Sequence, residues 1–129
     1  MPLSPQQRPL YEVKAGLFKG LAHPFRIRIL ELLAAATEVS VAALQESTGL
    51  EASHLSQHLA VLRRHRLVES ERRASHVYYR LADEKVAELL SVARALLRDI
   101  VRNDGARAAD VDELPDLTPA TPRAADADS

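Results

Sequence analysis

The chain has 129 residues, a formal net charge of −1 and no cysteine. This length favours one compact domain, and the lack of cysteine excludes disulfides, thiolate metal ligands and thiol redox switches. Hydrophobic residues make up 47% of the chain but aromatic residues only 4%, so aliphatic helices must build most of the core. No run reaches the roughly 18 apolar residues that span a bilayer, and no apolar signal region opens the chain. We therefore expect a cytoplasmic protein with no membrane partner.

Two helices are predicted in the first third of the chain. Residues 1–9 hold three prolines and no apolar periodicity, which predicts a flexible arm. From Leu10 to about Ala22 the apolar residues recur at helical spacing, which predicts a first helix with one buried stripe. Pro24 suits the first turn of a second helix. The inner side of that helix is predicted to carry Ile27, Leu30, Leu33 and Ala34.

The next segment has the pattern of a helix-turn-helix. Ser40 is a natural N-cap for a third helix that runs to about Thr48, because its hydroxyl can accept a hydrogen bond from an orphan amide. Gly49 can supply the left-handed conformation that ends this helix. A fourth helix is predicted to open at Glu51 and Ala52. Its buried face repeats at steps of four and three, at Leu55, Leu59 and Leu62.

Two strands and a long helix are predicted to complete the domain. Residues 67–71 and 77–81 have strand character and are separated by the polar stretch 72–76. Asp83 can cap a fifth helix that ends near Asn103. The predicted fold class is mainly α with a small β-hairpin wing, in the order helix, helix, helix, helix, strand, strand, helix. This winged helix-turn-helix would occupy residues 10–103.

The charge is distributed unevenly along the chain. Residues 52–80 contain six arginines against two glutamates, whereas residues 104–129 contain seven acidic residues against two arginines. The second segment is also rich in Ala, Asp and Pro, which predicts a disordered acidic tail. Because this tail is acidic, the net charge of the whole chain does not show that residues 52–80 are basic. The basic segment favours nucleic acid as a partner.

The fourth helix carries the predicted contacts to double-stranded DNA. Small polar side chains on a helix can approach base edges in the major groove while arginines hold phosphates. Ser53, Ser56 and Gln57 are predicted to face the bases, Gln57 with a two-point contact to adenine, and His54 lies at the edge of this face. Contacts to backbone phosphates or a neighbouring minor groove are predicted for the residues at the hairpin tip, Arg72, Arg73, Ser75 and His76. Ser40, Arg63 and Arg64 are also predicted to belong to the DNA-binding surface, Ser40 in the helix that supports the duplex. The alternative is an ordinary solvated face and an exposed charged turn.

The apolar faces of the first and fifth helices exceed what one small core needs, which indicates a homodimer through these two helices. The alternative is packing within one chain. Two paired recognition helices would match a palindromic site. The interface is predicted to include Leu10, Leu17, Leu21, Leu90, Leu97 and Ile100.

The sequence also bears on enzyme activity and on two alternative functions. No catalytic set of residues is visible, so no enzyme activity is expected. The main rival keeps DNA binding but adds a nickel or zinc effector, held by His23, His65 or His76 with carboxylates of the tail. His54 and His58, four residues apart, could also reach one ion, although that would compete with DNA. The other rival is a protein-interaction module without DNA binding.

Three segments resemble the ArsR/SmtB family of winged-helix bacterial regulators. They are the stretch LFKGLAHPFRIRIL at residues 17–30, the stretch LSQHLAVLR at residues 55–63 and the stretch VYYRL at residues 77–81. The resemblance spans about residues 10–101. It implies a homodimer that binds operator DNA and usually represses transcription until an effector releases it.

The known effector sites of this family are not complete in this sequence. Metal-sensing members often carry a Cys-x-Cys pair where this chain has Ser40 and Ala42. Others hold zinc or nickel through an aspartate and three histidines. Asp83 matches the aspartate, but the other positions are occupied by Lys85, Leu96 and Asp99. A cysteine pair, as in sulfur-responsive members, is also absent, so the effector stays unknown.

Overall fold

The computed structural model describes residues 2–103, which form five helices and a three-stranded sheet. The acidic tail predicted for residues 104–129 lies outside the described residues. In chain order the elements are α1 (Arg8–Leu21), α2 (Pro24–Ala34), β1 (Val39–Ser40), α3 (Val41–Thr48), α4 (Ala52–Arg64), β2 (Val68–Arg73), β3 (His76–Leu81) and α5 (Glu84–Asn103).

Helix α1 begins at Arg8, earlier than the start predicted at Leu10 and inside the segment expected to be a flexible arm. A turn before the helix is closed by two reciprocal hydrogen bonds. The Ser4 backbone amide donates to Gln7 Oε1 at 3.1 Å, and the Gln7 amide donates to Ser4 Oγ at 3.2 Å. Pro9 occupies the first turn, where it has no hydrogen bond to lose. The prediction of an arm over residues 1–9 is therefore too long.

The junction between α1 and α2 is closed by side chains. His23 caps α2, because its Nδ1 accepts a hydrogen bond from the Phe25 amide at 3.1 Å. Arg26 reaches back to the end of α1 and donates from Nε to the Gly20 carbonyl at 2.7 Å and from Nη2 to the Lys19 carbonyl at 3.1 Å. The first bond satisfies a carbonyl that the helix end leaves without an intrahelical partner, and the second adds to the bond that the Lys19 carbonyl accepts from the Ala22 amide. The two helices are thereby fixed relative to each other.

Helix α2 is the central helix of the domain and packs against α1, α3, α4, α5 and β3. Leu30, Leu33 and Ala34 are buried as predicted. Ile27 was expected on the same inner side but is 38% exposed. The buried face of α2 includes Glu31 instead, a residue that is only 6% exposed. A carboxylate thus stands where the sequence pattern predicted only aliphatic groups.

The sheet is antiparallel, in the order β1, β3, β2. Strands β2 and β3 pair from Val68 with Leu81 to Arg73 with His76, so only Ala74 and Ser75 remain for the turn. The polar stretch predicted to separate the strands is therefore shorter than expected. Strand β1 was not predicted, since its two residues are too few to show an alternating pattern.

The core lies between α2, the helix-turn-helix and the sheet. The three leucines predicted for the inner face of α4 are at most 2% exposed, which confirms that pattern. Truncating a buried leucine of this kind to alanine costs about 2 to 5 kcal/mol of unfolding free energy. The fully buried large side chains are Ile29, Leu30, Leu33, Leu44, Leu55 and Leu62.

Two glycines let α1 approach the turn that follows α4. A Cβ added at Gly20 would lie 2.7 Å from Cδ1 of Leu67 and 3.2 Å from Cβ of His65. A Cβ added at Gly16 would lie 3.0 Å from Nδ1 of His65. Contacts this short force a neighbour to move. The face of α1 that carries these glycines therefore packs directly on the end of the helix-turn-helix.

The fifth helix buries only its first half. Val86, Ala87 and Leu90 are buried, whereas Leu96 is 60% exposed and Ile100 is 49% exposed. Leu90 was predicted to lie in a dimer interface, but it is only 5% exposed and belongs to the core of the single chain. Among residues 2–103, no helix combines the length and apolar character needed to traverse a bilayer.

Candidate nucleic-acid interface

The turn between α3 and α4 fixes the angle between these two helices. Ser40 Oγ accepts a hydrogen bond from the Ala43 amide at 3.1 Å and caps α3. Gly49 ends α3 in the left-handed conformation with φ of 72°. Thr48 Oγ1 donates to the Leu44 carbonyl at 2.8 Å. These local bonds hold the turn in the conformation that the sequence predicted.

Ser40 itself is not positioned as a DNA contact. The residue is only 2% exposed, and it ends β1 and caps α3 at the same time. The prediction of a direct contact to DNA at Ser40 is therefore corrected. Its hydroxyl stabilises the start of α3 instead.

The outer face of α4 is exposed and polar. Ser53, His54, Ser56, Gln57 and Ala60 all lie on the surface, while the leucines of the opposite face are buried. Within the described part of the chain, the side-chain amide of Gln57 makes no hydrogen bond, so its NH₂ donor and its carbonyl acceptor both remain available. An exposed helix face of small polar residues fits the width of the major groove. The geometry agrees with the face predicted to read bases.

A groove of about 510 Å³ separates α4 from the wing, which consists of β2, β3 and their turn. Ser56, Ala60 and Arg63 line it from α4, and Ser75 and His76 line it from the wing. Ser40 also lines this groove, so the fold brings together five of the residues predicted to contact DNA. The other predicted residues of α4 and the wing lie outside the walls of this groove: Ser53, His54, Gln57, Arg64, Arg72 and Arg73.

Arg73 is engaged by two protein partners. Its Nη2 donates to Oε1 of Glu38 at 2.6 Å, and its guanidinium carbon lies 4.0 Å from the centroid of the Tyr78 ring. The hydrogen bond to Glu38 raises the pKa of Arg73 above its ordinary value. Because Glu38 directly precedes β1, the pair ties the wing to the segment that leads into α3. Arg73 therefore has a positioning role that the sequence did not predict.

Arg72 differs from its neighbour in both exposure and contacts. Its side chain is exposed, and it makes no ion pair or hydrogen bond within the described residues. Nearby, Arg63 Nη1 donates to Ser70 Oγ at 3.1 Å, and Arg80 forms ion pairs with Glu69 and Glu71 at 3.3 Å each. Among the wing arginines, Arg72 is thus the one whose charge faces only solvent. It is the best placed to meet a phosphate.

Comparison with known proteins agrees with this geometry. A family model described as a helix-turn-helix domain matches residues 21–71. The chain is 46% identical over 96 residues to the HTH-type transcriptional regulator Rv0081 of Mycobacterium tuberculosis, an alignment that covers 74% of this chain and 84% of that protein. The crystal structure of Rv0081 aligns with a TM-score of 0.69 and covers 76% of this chain and 98% of that one.

A second solved structure is the homodimeric winged helix-turn-helix DNA-binding domain of Mb0332 from Mycobacterium bovis, described as a possible ArsR-family regulator. It is 32% identical, has a TM-score of 0.72 and covers 78% of this chain and 93% of that one. The chain belongs to the ArsR/SmtB family. This ArsR/SmtB-family regulator is also similar to the repressor BigR of Xylella fastidiosa, at 33% identity and a TM-score of 0.62, over 74% of this chain and 96% of that one.

Two of the regulator's histidines, His23 at the start of α2 and His58 of α4, lie close together. The rings of His23 and His58 are 4.4 Å apart between centroids. Burial lowers the pKa of His58, and the nearby positive groups of His23, Arg26 and His54 lower it further. A neutral His58 suits this position, because protonation would place another positive charge beside Arg26. The His58 ring packs against the rings of His23 and Phe25.

His65 lies on another side of the regulator, against the glycine face of α1. Burial lowers its pKa, and Arg64, Lys19 and Arg26 lower it further. Within residues 2–103, no group of three metal-ligating side chains is placed to hold an ion. The nickel or zinc site predicted at His23, His65 or His76 thus finds no such group in the described part of the chain. The tail carboxylates that it invoked lie outside that part.

The structural roles of two residues, Glu38 and Arg26, were not predicted from the sequence. Glu38 anchors Arg73, and Arg26 closes the junction between α1 and α2. Glu38 follows a helix in a short loop with no capping or pairing pattern, so no local signal could have indicated its partner 35 residues away. Arg26 carries no signal either, since its acceptors are backbone carbonyls.

Proposed function

We propose that this regulator is a repressor that binds a palindromic operator in double-stranded DNA as a homodimer. The observation that carries the proposal is the exposed polar face of α4, which stands beside a groove whose other wall is the basic wing. Ser53, Ser56 and Gln57 would reach base edges in the major groove. Arg63, Arg64 and Arg72 would contact the DNA backbone. Occupying the operator would block transcription.

The apolar surface of the single chain supports the homodimer. Leu10 is 71% exposed and Val92 is 68% exposed, which is a large apolar area for the surface of a monomer. Mb0332, the structural relative described above, is homodimeric. Two copies related by a two-fold axis would present their α4 helices about 34 to 36 Å apart, one turn of DNA. The large exposed apolar residues of α1 and α5 are Leu10, Tyr11, Val13, Phe18, Leu89, Val92, Leu96, Leu97 and Ile100.

The DNA-binding part of the proposal is tested by selecting bound fragments from the host genome and titrating them in fluorescence anisotropy. Specific binding to a palindrome is expected, with an affinity that falls steeply as salt rises from about 50 to 200 mM. A protein-interaction module would respond weakly to salt, since an apolar groove binds its partner without releasing counterions. A shallow salt dependence, or no selected sequence, would therefore favour that alternative.

The dimer is tested with a charged substitution on the exposed part of α5. Leu96→Glu should shift the protein from dimer to monomer in light scattering after size exclusion, because the carboxylate would be buried in the interface. Leu3→Glu is the matched control, since Leu3 is 54% exposed and precedes α1. A monomeric wild-type chain, or a Leu96→Glu variant that stays dimeric, would contradict this interface.

The cytoplasmic location of the protein stays a prediction.

A further inference from the structure

The tip of the wing presents a serine directly after two arginines. Ser75 is exposed, and Arg72 and Arg73 stand three and two residues before it. No other serine or threonine of the chain has an arginine at either of these two positions. Protein kinases select their substrates by the pattern of charges around the target hydroxyl. Two arginines just before a serine match a kinase cleft that is lined by carboxylates.

The wing tip is also built so that it can open. Only Ala74 and Ser75 form the turn between the paired residues Arg73 and His76. Ala74 has a φ of 54°, in the left-handed region that a residue with a Cβ rarely adopts. All the side chains of residues 72–76 are exposed, so separating the end of the hairpin uncovers no part of the core. Such an end opens at a small fraction of the free energy of global unfolding.

The two arginines differ in how readily a second protein can bind them. Arg72 makes no ion pair or hydrogen bond within residues 2–103, so its guanidinium is available to a kinase. Arg73 Nη2 donates to Oε1 of Glu38 at 2.6 Å, and this bond has to be exchanged for a carboxylate of the kinase. Glu38 therefore acts against opening of the tip, and its removal should make Ser75 easier to reach.

We propose that Ser75 is a phosphorylation site for an arginine-directed serine kinase and that its phosphorylation releases the regulator from DNA. The co-substrate is ATP. A bond forms between Ser75 Oγ and the γ-phosphorus, and the bond from this phosphorus to the bridging oxygen of ADP breaks. ADP leaves with that electron pair, and the proton of the serine hydroxyl passes to the catalytic aspartate of the kinase.

The effect on DNA binding follows from the surroundings of Ser75. A phosphoserine carries a charge of roughly −1.5 to −2 near neutral pH. Ser75 lines the groove between α4 and the wing together with Arg63 and His76, so the new charge would lie on the surface that is proposed to meet the DNA backbone. It would repel the phosphates of DNA and compete with them for Arg63. The release from DNA rests on the proposed function, whereas the modification of Ser75 does not.

The modification is tested on the full chain with ATP and Mg²⁺ and two sources of kinase. One is the purified catalytic subunit of cyclic-AMP-dependent protein kinase, an arginine-directed enzyme, and the other is an extract of the host cells. Mass spectrometry of the peptides should place the phosphate on Ser75 with both sources, and Ser75→Ala should abolish it.

Three variants test the recognition of the tip by the purified kinase. Arg72→Ala should lower kcat/KM by roughly tenfold or more, because it removes the arginine that is free to bind the kinase. Glu38→Gln should raise the rate by about twofold or more, because it releases Arg73 and the end of the hairpin. Arg102→Ala is the matched control for Arg72→Ala, and Ser91→Ala is the matched control for Ser75→Ala. Both replace exposed residues of α5 and should leave the labelling unchanged.

Four results would overturn these assignments. Absence of labelling by the purified kinase, or labelling of another hydroxyl in place of Ser75, would overturn the site itself. Labelling by the purified kinase but not by the host extract would overturn phosphorylation of Ser75 in the cell. A rate for Glu38→Gln no higher than that of the wild type would overturn the opening step. Operator binding by the same unmodified preparation would show that the proposed function survives these failures.

The release from DNA has its own measurement. Protein phosphorylated on Ser75 and purified by ion exchange should bind the operator roughly tenfold or more weakly in fluorescence anisotropy at about 50 mM salt, with an unchanged Tm. The difference should narrow at about 200 mM salt because salt screens the added charge, and treatment with a phosphatase should restore the affinity. Unchanged affinity of the phosphorylated protein, or a loss that the phosphatase does not reverse, would overturn the regulatory step.

Discussion

Replacing Gln57 with alanine tests most directly whether α4 reads bases. The Gln57 side chain is exposed and has no hydrogen bond within residues 2–103, so its removal leaves no protein group without a partner. A surface change of this kind shifts the unfolding free energy by at most about 0.5 kcal/mol. Any larger loss of DNA affinity would therefore come from the contact with DNA and not from the fold.

The expected loss follows from the geometry of the amide. A glutamine that donates to and accepts from one adenine contributes about 1 to 3 kcal/mol of discrimination. A homodimer places two copies of Gln57 on a palindrome, so the loss per operator is about 2 to 6 kcal/mol. This corresponds to an increase in Kd between roughly 30-fold and 20,000-fold, since about 1.4 kcal/mol is a factor of ten.

The assay is a fluorescence-anisotropy titration of the selected operator at constant salt, with chemical unfolding of each variant in parallel. Gln6→Ala is the matched control, because Gln6 is an exposed glutamine that precedes α1. A second titration uses operators in which single adenines are replaced, and Gln57→Ala should no longer distinguish one of them from the original. Unchanged operator affinity, or equal loss on specific and random DNA, would refute a base-reading role for Gln57.

Three further predictions follow from the wing, the glycine contact and the histidines. Arg72→Ala should reduce the salt dependence of operator binding by about one counterion per protomer without lowering Tm, whereas Arg73→Ala should lower Tm because it removes an anchor of the wing. Gly20→Ala should lower the unfolding free energy by about 1 to 2 kcal/mol, measured in urea, because overpacking outweighs the gain in helix propensity. As pH falls from about 7.5 to 5.5, the unfolding free energy should decrease. The pKa values of His58 and His65 are lowered in the folded protein, so the unfolded chain binds more protons than the folded chain in this range of pH.

Each of these predictions has an opposite outcome that would contradict it. Equal salt slopes and equal Tm values for Arg72→Ala and Arg73→Ala would remove the distinction between phosphate contact and anchor. A more stable Gly20→Ala variant would show that α1 can move away from its neighbours. For the histidines, the double variant His58→Gln, His65→Gln should lose the pH-dependent difference from wild type, and an unchanged difference would assign it to other groups. Subtracting the two curves also removes the opposite contribution of Glu31, whose raised pKa favours stability at low pH.

The helices and the exposed face of α4 could be predicted from the sequence because their signals are local. Leu55, Leu59 and Leu62 repeat at helical spacing, Ser40 caps and Gly49 ends a helix, and each of these features depends on neighbours within a few residues. The family membership indicated by the three matching segments is confirmed by the comparisons. The exposure of the α4 face is confirmed as well, while its contact with bases stays a prediction.

The features that the sequence did not predict depend on contacts between distant segments. Strand β1 exists because Val39 and Ser40 pair with Tyr79 and Tyr78 of β3, and two residues are too few for a periodic pattern. The separate roles of Arg72 and Arg73 depend on Glu38, which no rule of spacing connects with them. Leu90 fits the same apolar stripe as its exposed neighbours in α5, and only packing against the core separates it from them.

The shared position of Ser40 at the end of β1 and the start of α3 has a consequence for how the protein can sit on DNA. Strand β1 pairs with β3, the inner strand of the wing, and Ser40 also holds the first turn of α3. A wing that tilted on its own would have to pull Ser40 out of this cap. In each protomer α4 and the wing should therefore move together as one rigid unit. The distance along the duplex between the bases contacted by α4 and the phosphates contacted by the wing should then be the same at every operator, whatever its sequence.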